Sequence, residues 1–229
     1  MEMKQDCEAL LHQGSHDLGA QIDSERRHWA SEGQCGLDDS KLFAVCASTG
    51  EYAQVSARFL ASMPNATIVS VERVENGPMH EAFLLQASTL KKQIGADWDQ
   101  DAMRMMLFHG TDAVEQIINS ADGHGFLPLL AGTSTGAIYG DGTYFASTAR
   151  YSHGGYVKSL PSGCKQVFLV DVLVGRSAQG RKGLKMCPLL PGQRYARYNS
   201  LVDNVNNASI FVVQHSNQAY PSYLITYTA

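Results

Sequence analysis

The stretch Arg104-Met105-Met106-Leu107-Phe108-His109-Gly110-Thr111 limits what this chain can become more than any other. Met105 to Phe108 form a short continuous apolar run bounded by turn formers, and such a run suits a buried strand. His109 and Gly110 stand at its mouth, where an imidazole and an unhindered backbone amide face a cleft. A second stretch runs from Tyr139 to Ala146 as Tyr-Gly-Asp-Gly-Thr-Tyr-Phe-Ala. Gly140 and Gly142 allow backbone geometry barred to other residues and let a ligand approach closely. Tyr144 offers a flat aromatic face with a polar tip. Backbone amide groups, an imidazole and an aromatic platform together suit a planar ring that bears a carboxamide.

The other segments read in chain order. Residues 1 to about 44 are polar and helix-leaning, with Leu18 and Ile22 repeating an apolar face at i, i+4. His12 and His16 share that spacing, but no acidic or cysteine partner completes a ligand set, so they read as a solvated helix face. The segment is a linker or a packing appendage. Glu51 to Met63 reads as a helix stopped by Pro64, and Ala66 to Val74 as a β-branched strand. Pro78 suits the first turn of a helix through Ile94, with Met79, Phe83, Leu84 and Leu90 inward. Asp112 to Glu115 has a capping-box pattern that opens a helix to about Ser120. Leu127 to Ile138 reads as a loop. Ser147 can cap a short helix bearing Arg150, Tyr151 and Ser152. Gln166 to Val174, Ser209 to Gln214 and Tyr223 to Tyr227 read as strands. Gly175 to Arg197 is a long loop with five basic residues before Arg197, a solvated surface or a means of steering an acidic target.

Composition excludes several classes. A net charge of −4 predicts no general affinity for nucleic acid. Cys7, Cys35, Cys46, Cys164 and Cys187 are odd in number and scattered, which suits reduced thiols in a cytoplasmic or nuclear setting. No apolar leader and no apolar run near membrane length is visible, so no membrane partner is expected. Oligomeric state is not legible.

Leu107-Phe-His-Gly-Thr111, Tyr139-Gly-x-Gly-x-Tyr-Phe-Ala146, Tyr151-Ser152 and the tail Gln218-Ala-Tyr-Pro-Ser-Tyr-Leu-Ile-Thr-Tyr227 resemble the catalytic domain of the poly(ADP-ribose) polymerase family, in that order. The nearest branch is the mono-ADP-ribosyltransferases that often carry macrodomains. The resemblance implies an α+β, diphtheria-toxin-like ADP-ribosyltransferase fold with two packed, mostly antiparallel sheets and flanking helices. It runs from about Glu51 to Ala229 and implies one catalytic domain over residues 45–229. It also implies NAD as the substrate that donates ADP-ribose, no metal, and acceptor proteins as partners.

The resemblance assigns roles to residues. Gly110 would pair its N–H and C=O with the nicotinamide carboxamide, and Ser152 would add a hydroxyl. Thr111 and Ala146 belong to the same NAD-binding motifs. Tyr144 would pack against the ring and Tyr156 would stack on its other face, with Tyr151 a lesser candidate. His109 would bond a ribose hydroxyl on the adenosine side. Leu127 to Ile138 would form the loop over the adenosine; the family often has an Arg where Leu127 and Pro128 stand, and a Lys where Asp141 stands. The family's His-Tyr-Glu triad ends in a last-strand Glu, a position expected here at Leu224, with Ser222 the alternative register. Neither is a carboxylate, so chain elongation should fail and mono-transfer should rely on the acceptor's own Glu or Asp. The alternatives are a catalytically weak NAD- or ADP-ribose-binding module and, below that, a polymerase.

Overall fold

The computed structural model describes residues 18–27, 29, 41–120, 124–128, 137–157 and 159–229. Its centre is a nine-stranded sheet. The strands are β1 (Lys41–Ala44), β2 (Thr67–Glu75), β3 (Arg104–His109), β4 (Thr143–Ala146), β5 (Lys165–Leu173), β6 (Ser177–Gln179), β7 (Ser200–Val202), β8 (Ile210–Val213) and β9 (Ala219–Thr228). They lie in the order β1-β2-β9-β5-β3-β4-β8-β7-β6. All pairs are antiparallel except β6 with β7.

The fold is α+β as expected, but the pairing gives one sheet, not two. The join is thin: Phe108 opposite Ala146 is the sole register pair between β3 and β4. It links a five-strand half to a four-strand half. One apolar cluster draws side chains from both halves, among them Leu107, Phe168 and Leu224 from the first and Phe145, Val202 and Phe211 from the second. Sharing a core makes two sheet halves look like two sheets in sequence, because each supplies its own alternating apolar face.

Helices cover the first half. Gly50–Leu60 starts on Thr49, whose hydroxyl accepts from Tyr52 N–H. Its Val55 and Phe59 pack against Val71, Phe108, Val167, Ile225 and Tyr227. Gly77–Ile94 starts on Asn76, whose side chain accepts from Met79 N–H at 3.1 Å, and carries a proline in its first turn. Met79, Phe83, Leu84 and Leu90 are buried as the spacing predicts. Fully burying each such side chain contributes about 1.5–3 kcal/mol.

Residues 18–26 are helical and pack on this helix through Leu18 and Ile22. Trp29 stacks on Tyr220 with centroids 6.4 Å apart. Arg104, at the foot of β3, bonds Glu25 at 2.8 and 3.0 Å and Asp171 at 2.6 and 2.9 Å. Burial raises the Glu25 pKa, but bonds from His80, Arg104 and Gln21 outweigh it and hold the carboxyl well below its usual range. His12, His16, Cys7 and Cys35 lie outside the described residues.

Local boundaries differ in instructive ways. The helix after Thr111 spans only Val114–Ile118, with Ala113 at its cap and no side-chain cap bond. Thr111 takes the capping partner instead, accepting from Ala113 N–H at 3.1 Å. Thr148, not Ser147, stands at the cap of the Ala149–His153 helix. Two short strands, β6 and β7, lie within and just after the long basic stretch that reads as loop.

Candidate active site

His109 closes β3 at the point where β3 and β4 part. Its Nδ1 lies 2.8 Å from the Tyr144 carbonyl oxygen. A carbonyl oxygen only accepts, so Nδ1 carries the proton and Nε2 presents a bare lone pair. The ring meets Phe126 edge-on at 5.2 Å and Phe145 at 5.3 Å between centroids. Burial pushes the His109 pKa down, and the Tyr144 contact acts against it. The imidazole is therefore neutral near pH 7, fixed at one nitrogen and free to accept at the other.

Gly110 follows where nothing larger fits. A Cβ there would meet Val157 Cγ2 at 2.9 Å, Tyr156 Cβ at 3.0 Å and the Ser152 carbonyl oxygen at 3.1 Å. The His-Gly step is thus pressed against the segment from Ser152 to Val157. Tyr156 N–H donates to the Ser152 carbonyl at 3.1 Å, which holds that segment in a tight turn. Ser152 is buried. The structure brings together Gly110, Ser152 and Tyr156.

Tyr144 is held by its own tip. Its hydroxyl donates to Gly140 C=O at 2.7 Å and accepts from Tyr139 N–H at 3.0 Å. Those bonds staple the Tyr139–Gly142 turn, where Gly140 has φ of 113° and Gly142 of 149°. Only the face of Tyr144 is left for a ligand. Burial raises its pKa; the bond from Tyr139 N–H works against this, and the charges of Asp141, Tyr139 and Tyr156 add to the rise. Tyr151 stacks on Tyr156 at 5.6 Å and 21°. Its pKa is also raised, by burial first, then by the bond to Tyr156 and by Tyr139 and Tyr144. Four tyrosines therefore share one neighbourhood beside Gly110.

Three expected residues sit differently. Thr111 spends its hydroxyl on Ala113 N–H, as a turn former. Ala146 is 2% exposed and is the residue that joins the sheet halves. Leu224 lies apart from this group of residues. It is 1% exposed on β9, opposite Phe168 of β5, which is itself opposite His109. That places it about 10 Å from the His109 backbone, two strand spacings away, with Phe168 between. It faces the shared core, whereas Ser222 lines a cavity elsewhere.

The strand beside β4 is β8. Ala146 is opposite Ile210 and Tyr144 opposite Val212, so these four side chains share a face of the sheet. Ile210 is 3% exposed. The Ser209 to Gln214 run reads as a strand from sequence, but nothing local marks it as the neighbour of Tyr144. The 129–136 part of the expected donor loop lies outside the described residues, while Leu127 is exposed.

A cavity of about 530 Å³ shares no residue with this group. Its lining includes Glu51, Arg58, Arg73, Arg104, Asp171 and Tyr223. Its acids are committed: Arg73 bridges Glu51 and Glu75, and Arg104 bridges Glu25 and Asp171. Among the described residues no group of three His, Cys, Asp or Glu side chains is set to hold a metal. Among them, too, no helix is long and apolar enough to cross a membrane.

Residues 49–229 match the family model of the poly(ADP-ribose) polymerase catalytic domain. The chain is 31% identical over 228 residues to protein mono-ADP-ribosyltransferase PARP12 of Mus musculus, an alignment that covers all of this chain and 30% of that protein. It is 34% identical over 184 residues to PARP12 of Homo sapiens, covering 80% and 25%. It is 32% identical over 202 residues to protein mono-ADP-ribosyltransferase PARP14 of Homo sapiens, covering 87% and 11%. The chain spans less than a third of the length of each of these relatives.

Proposed function

Because the chain belongs to the poly(ADP-ribose) polymerase catalytic-domain family, we propose that it transfers one ADP-ribose unit from NAD to a protein carboxylate and releases nicotinamide. The three relatives carry the name mono-ADP-ribosyltransferase, which supports the single-unit reading. The diphtheria-toxin-like fold of such enzymes is compatible with a bipartite sheet whose halves meet at a cleft.

The observation that carries the proposal is the make-up of that cleft. Gly110 offers backbone N–H and C=O to a carboxamide, with Ser152 beside it. The faces of Tyr144 and Tyr156 suit the two sides of the ring. The Nε2 lone pair of His109 suits a ribose hydroxyl. On Tyr144's side of β8 stand Ile210 and Val212, both apolar. We assign the vacant acid position of the triad to Ile210 rather than to Leu224, because Ile210 shares a sheet face with Tyr144.

The chemistry follows from charge. The ribose–pyridinium bond breaks and its electron pair leaves with nicotinamide, which departs neutral. The ribose carbon passes through an oxocarbenium-like state and gains a bond from an acceptor oxygen. A carboxylate needs no base to release a proton, so it attacks without a catalytic Glu. A sugar hydroxyl must lose a proton, and neither Ile210 nor Val212 can take it. Elongation therefore stops at one unit, and the rate comes mainly from positioning.

Exposed Leu127 and the Asp141 turn favour a second reading, a weak NAD- or ADP-ribose-binding module. Incubation with labelled NAD separates the readings. One unit on protein supports mono-transfer. A ladder supports polymerisation, and bound but uncleaved NAD supports the module.

A further inference from the structure

Residues 172–202 hold six cations, Arg176, Arg181, Lys182, Lys185, Arg194 and Arg197, and no Asp or Glu. The whole chain has 18 Lys and Arg against 22 Asp and Glu, so this stretch runs against its average charge. Arg176 pairs with Asp97 at 2.8 Å. The other five have no carboxylate partner among the described residues, and all five are exposed.

The stretch has two sides. Inward, Leu184, Cys187 and Tyr198 pack with Tyr139 and Tyr144. Asp141 N–H donates to Leu184 C=O at 2.8 Å, and Gln214 bonds both Asp141 C=O and Lys185 C=O. Gly180 fits so closely that a Cβ there would meet the Tyr139 oxygen at 2.5 Å. Outward, Lys182 and Gly183 turn the chain. A hairpin closed by Leu190 N–H to Ala196 C=O at 2.9 Å then lifts Arg194 and Tyr195 into solvent, Tyr195 being 91% exposed. The backbone that supports Tyr144 thus carries a cationic rim, anchored to the cleft by at least four contacts.

We propose that this rim docks an acidic stretch of the acceptor protein, so that carboxylates flanking the modified Glu or Asp seat on Arg181, Lys182, Lys185 and Arg194. This rests on the transferase reading and names its acceptor class. Charge complementarity is the reason: unpaired surface cations steer and hold an anionic partner. The same acceptor brings an ionised carboxylate, which needs no base from the protein.

The test uses the whole chain and two labelled peptides, each with one central Glu. One is flanked by Glu, the other by Gln. We expect a KM about tenfold lower for the Glu-flanked peptide, as a few exposed ion pairs provide. Lys182→Glu with Lys185→Glu should erase that difference and leave hydrolysis of NAD by water unchanged. Fluorescence anisotropy without NAD should show the same preference and lose it at high salt. Equal KM and equal binding for the two peptides overturn the proposal. So does a single-stranded oligonucleotide that displaces the acidic peptide at lower concentration than the peptide binds. Should NAD not be consumed at all, the transferase reading fails, and anisotropy still decides the docking surface.

Discussion

The Nδ1 atom of His109 lies 2.8 Å from the backbone carbonyl of Tyr144, so β4 sets which nitrogen of the imidazole is protonated. This single contact ties the motif that ends β3 to the one that starts β4. It leaves Nε2 as an acceptor, which suits a ribose hydroxyl and does not suit general acid catalysis.

A pH dependence follows. A proton on Nε2 would turn that acceptor into a donor. Burial pushes the His109 pKa down, so the neutral form persists to below the ordinary value of about 6.5. NAD affinity should be level from neutral pH to that value and fall at lower pH. The unfolded chain binds the proton first, so this group's contribution to stability also shrinks as pH falls through 6.5. Titration calorimetry across this range checks it, and His109→Ala should remove the dependence along with most of the affinity.

Gly110→Ala should strike the ring site more than the fold. The added carbon would come within 2.9 Å of Val157 and 3.0 Å of Tyr156. Overpacking of this kind costs about 1–3 kcal/mol. Tyr156 must move, so labelling should drop by more than tenfold while circular dichroism is unchanged. Normal labelling would show that the close packing of Gly110 against Tyr156 has no part in binding.

Tyr144→Phe keeps the ring and loses the staple. Gly140 C=O and Tyr139 N–H lose their partner, at a cost of about 1–3 kcal/mol. That corresponds to a fall in Tm of a few degrees for a domain of this size. Activity should fall in step with the loosened turn. A Tm equal to that of the parent chain would refute the staple.

Variants of Leu224 and Ile210 test which strand carries the triad position. Leu224→Ala should cost about 2–5 kcal/mol and leave the KM for NAD of the folded fraction unchanged. Ile210→Ala should change KM or kcat in addition to stability. Urea melts with steady-state kinetics on both variants decide the assignment, and the reverse outcome would restore Leu224 to the site.

The sequence carries the motifs well and their neighbours badly. The His109-Gly110 step, the Tyr144 platform and the Ser152–Tyr156 turn all meet in one place, because each motif is local and each has a backbone demand that few residues satisfy. The inward residues of the Gly77–Ile94 helix are equally legible, since helical spacing fixes a face. Strand adjacency is not. β8 and β9 both end the chain as apolar runs, and only long-range pairing shows that β8 lies next to β4 while β9 lies behind β5. The family's last-strand position therefore reads onto β9 from sequence, whereas the sheet order puts β8 beside Tyr144. β6 and β7 are three residues each, too short to show a period. The count of sheets fails for a related reason, since a single pair at Phe108 and Ala146 decides between one and two.

The most direct test is a crystal of the chain soaked with nicotinamide. The carboxamide should sit on the backbone of Gly110 beside Ser152, with the ring between Tyr144 and Tyr156. A ring bound in the arginine-lined cavity around Arg58, or no ring bound at saturating concentration, would contradict the account.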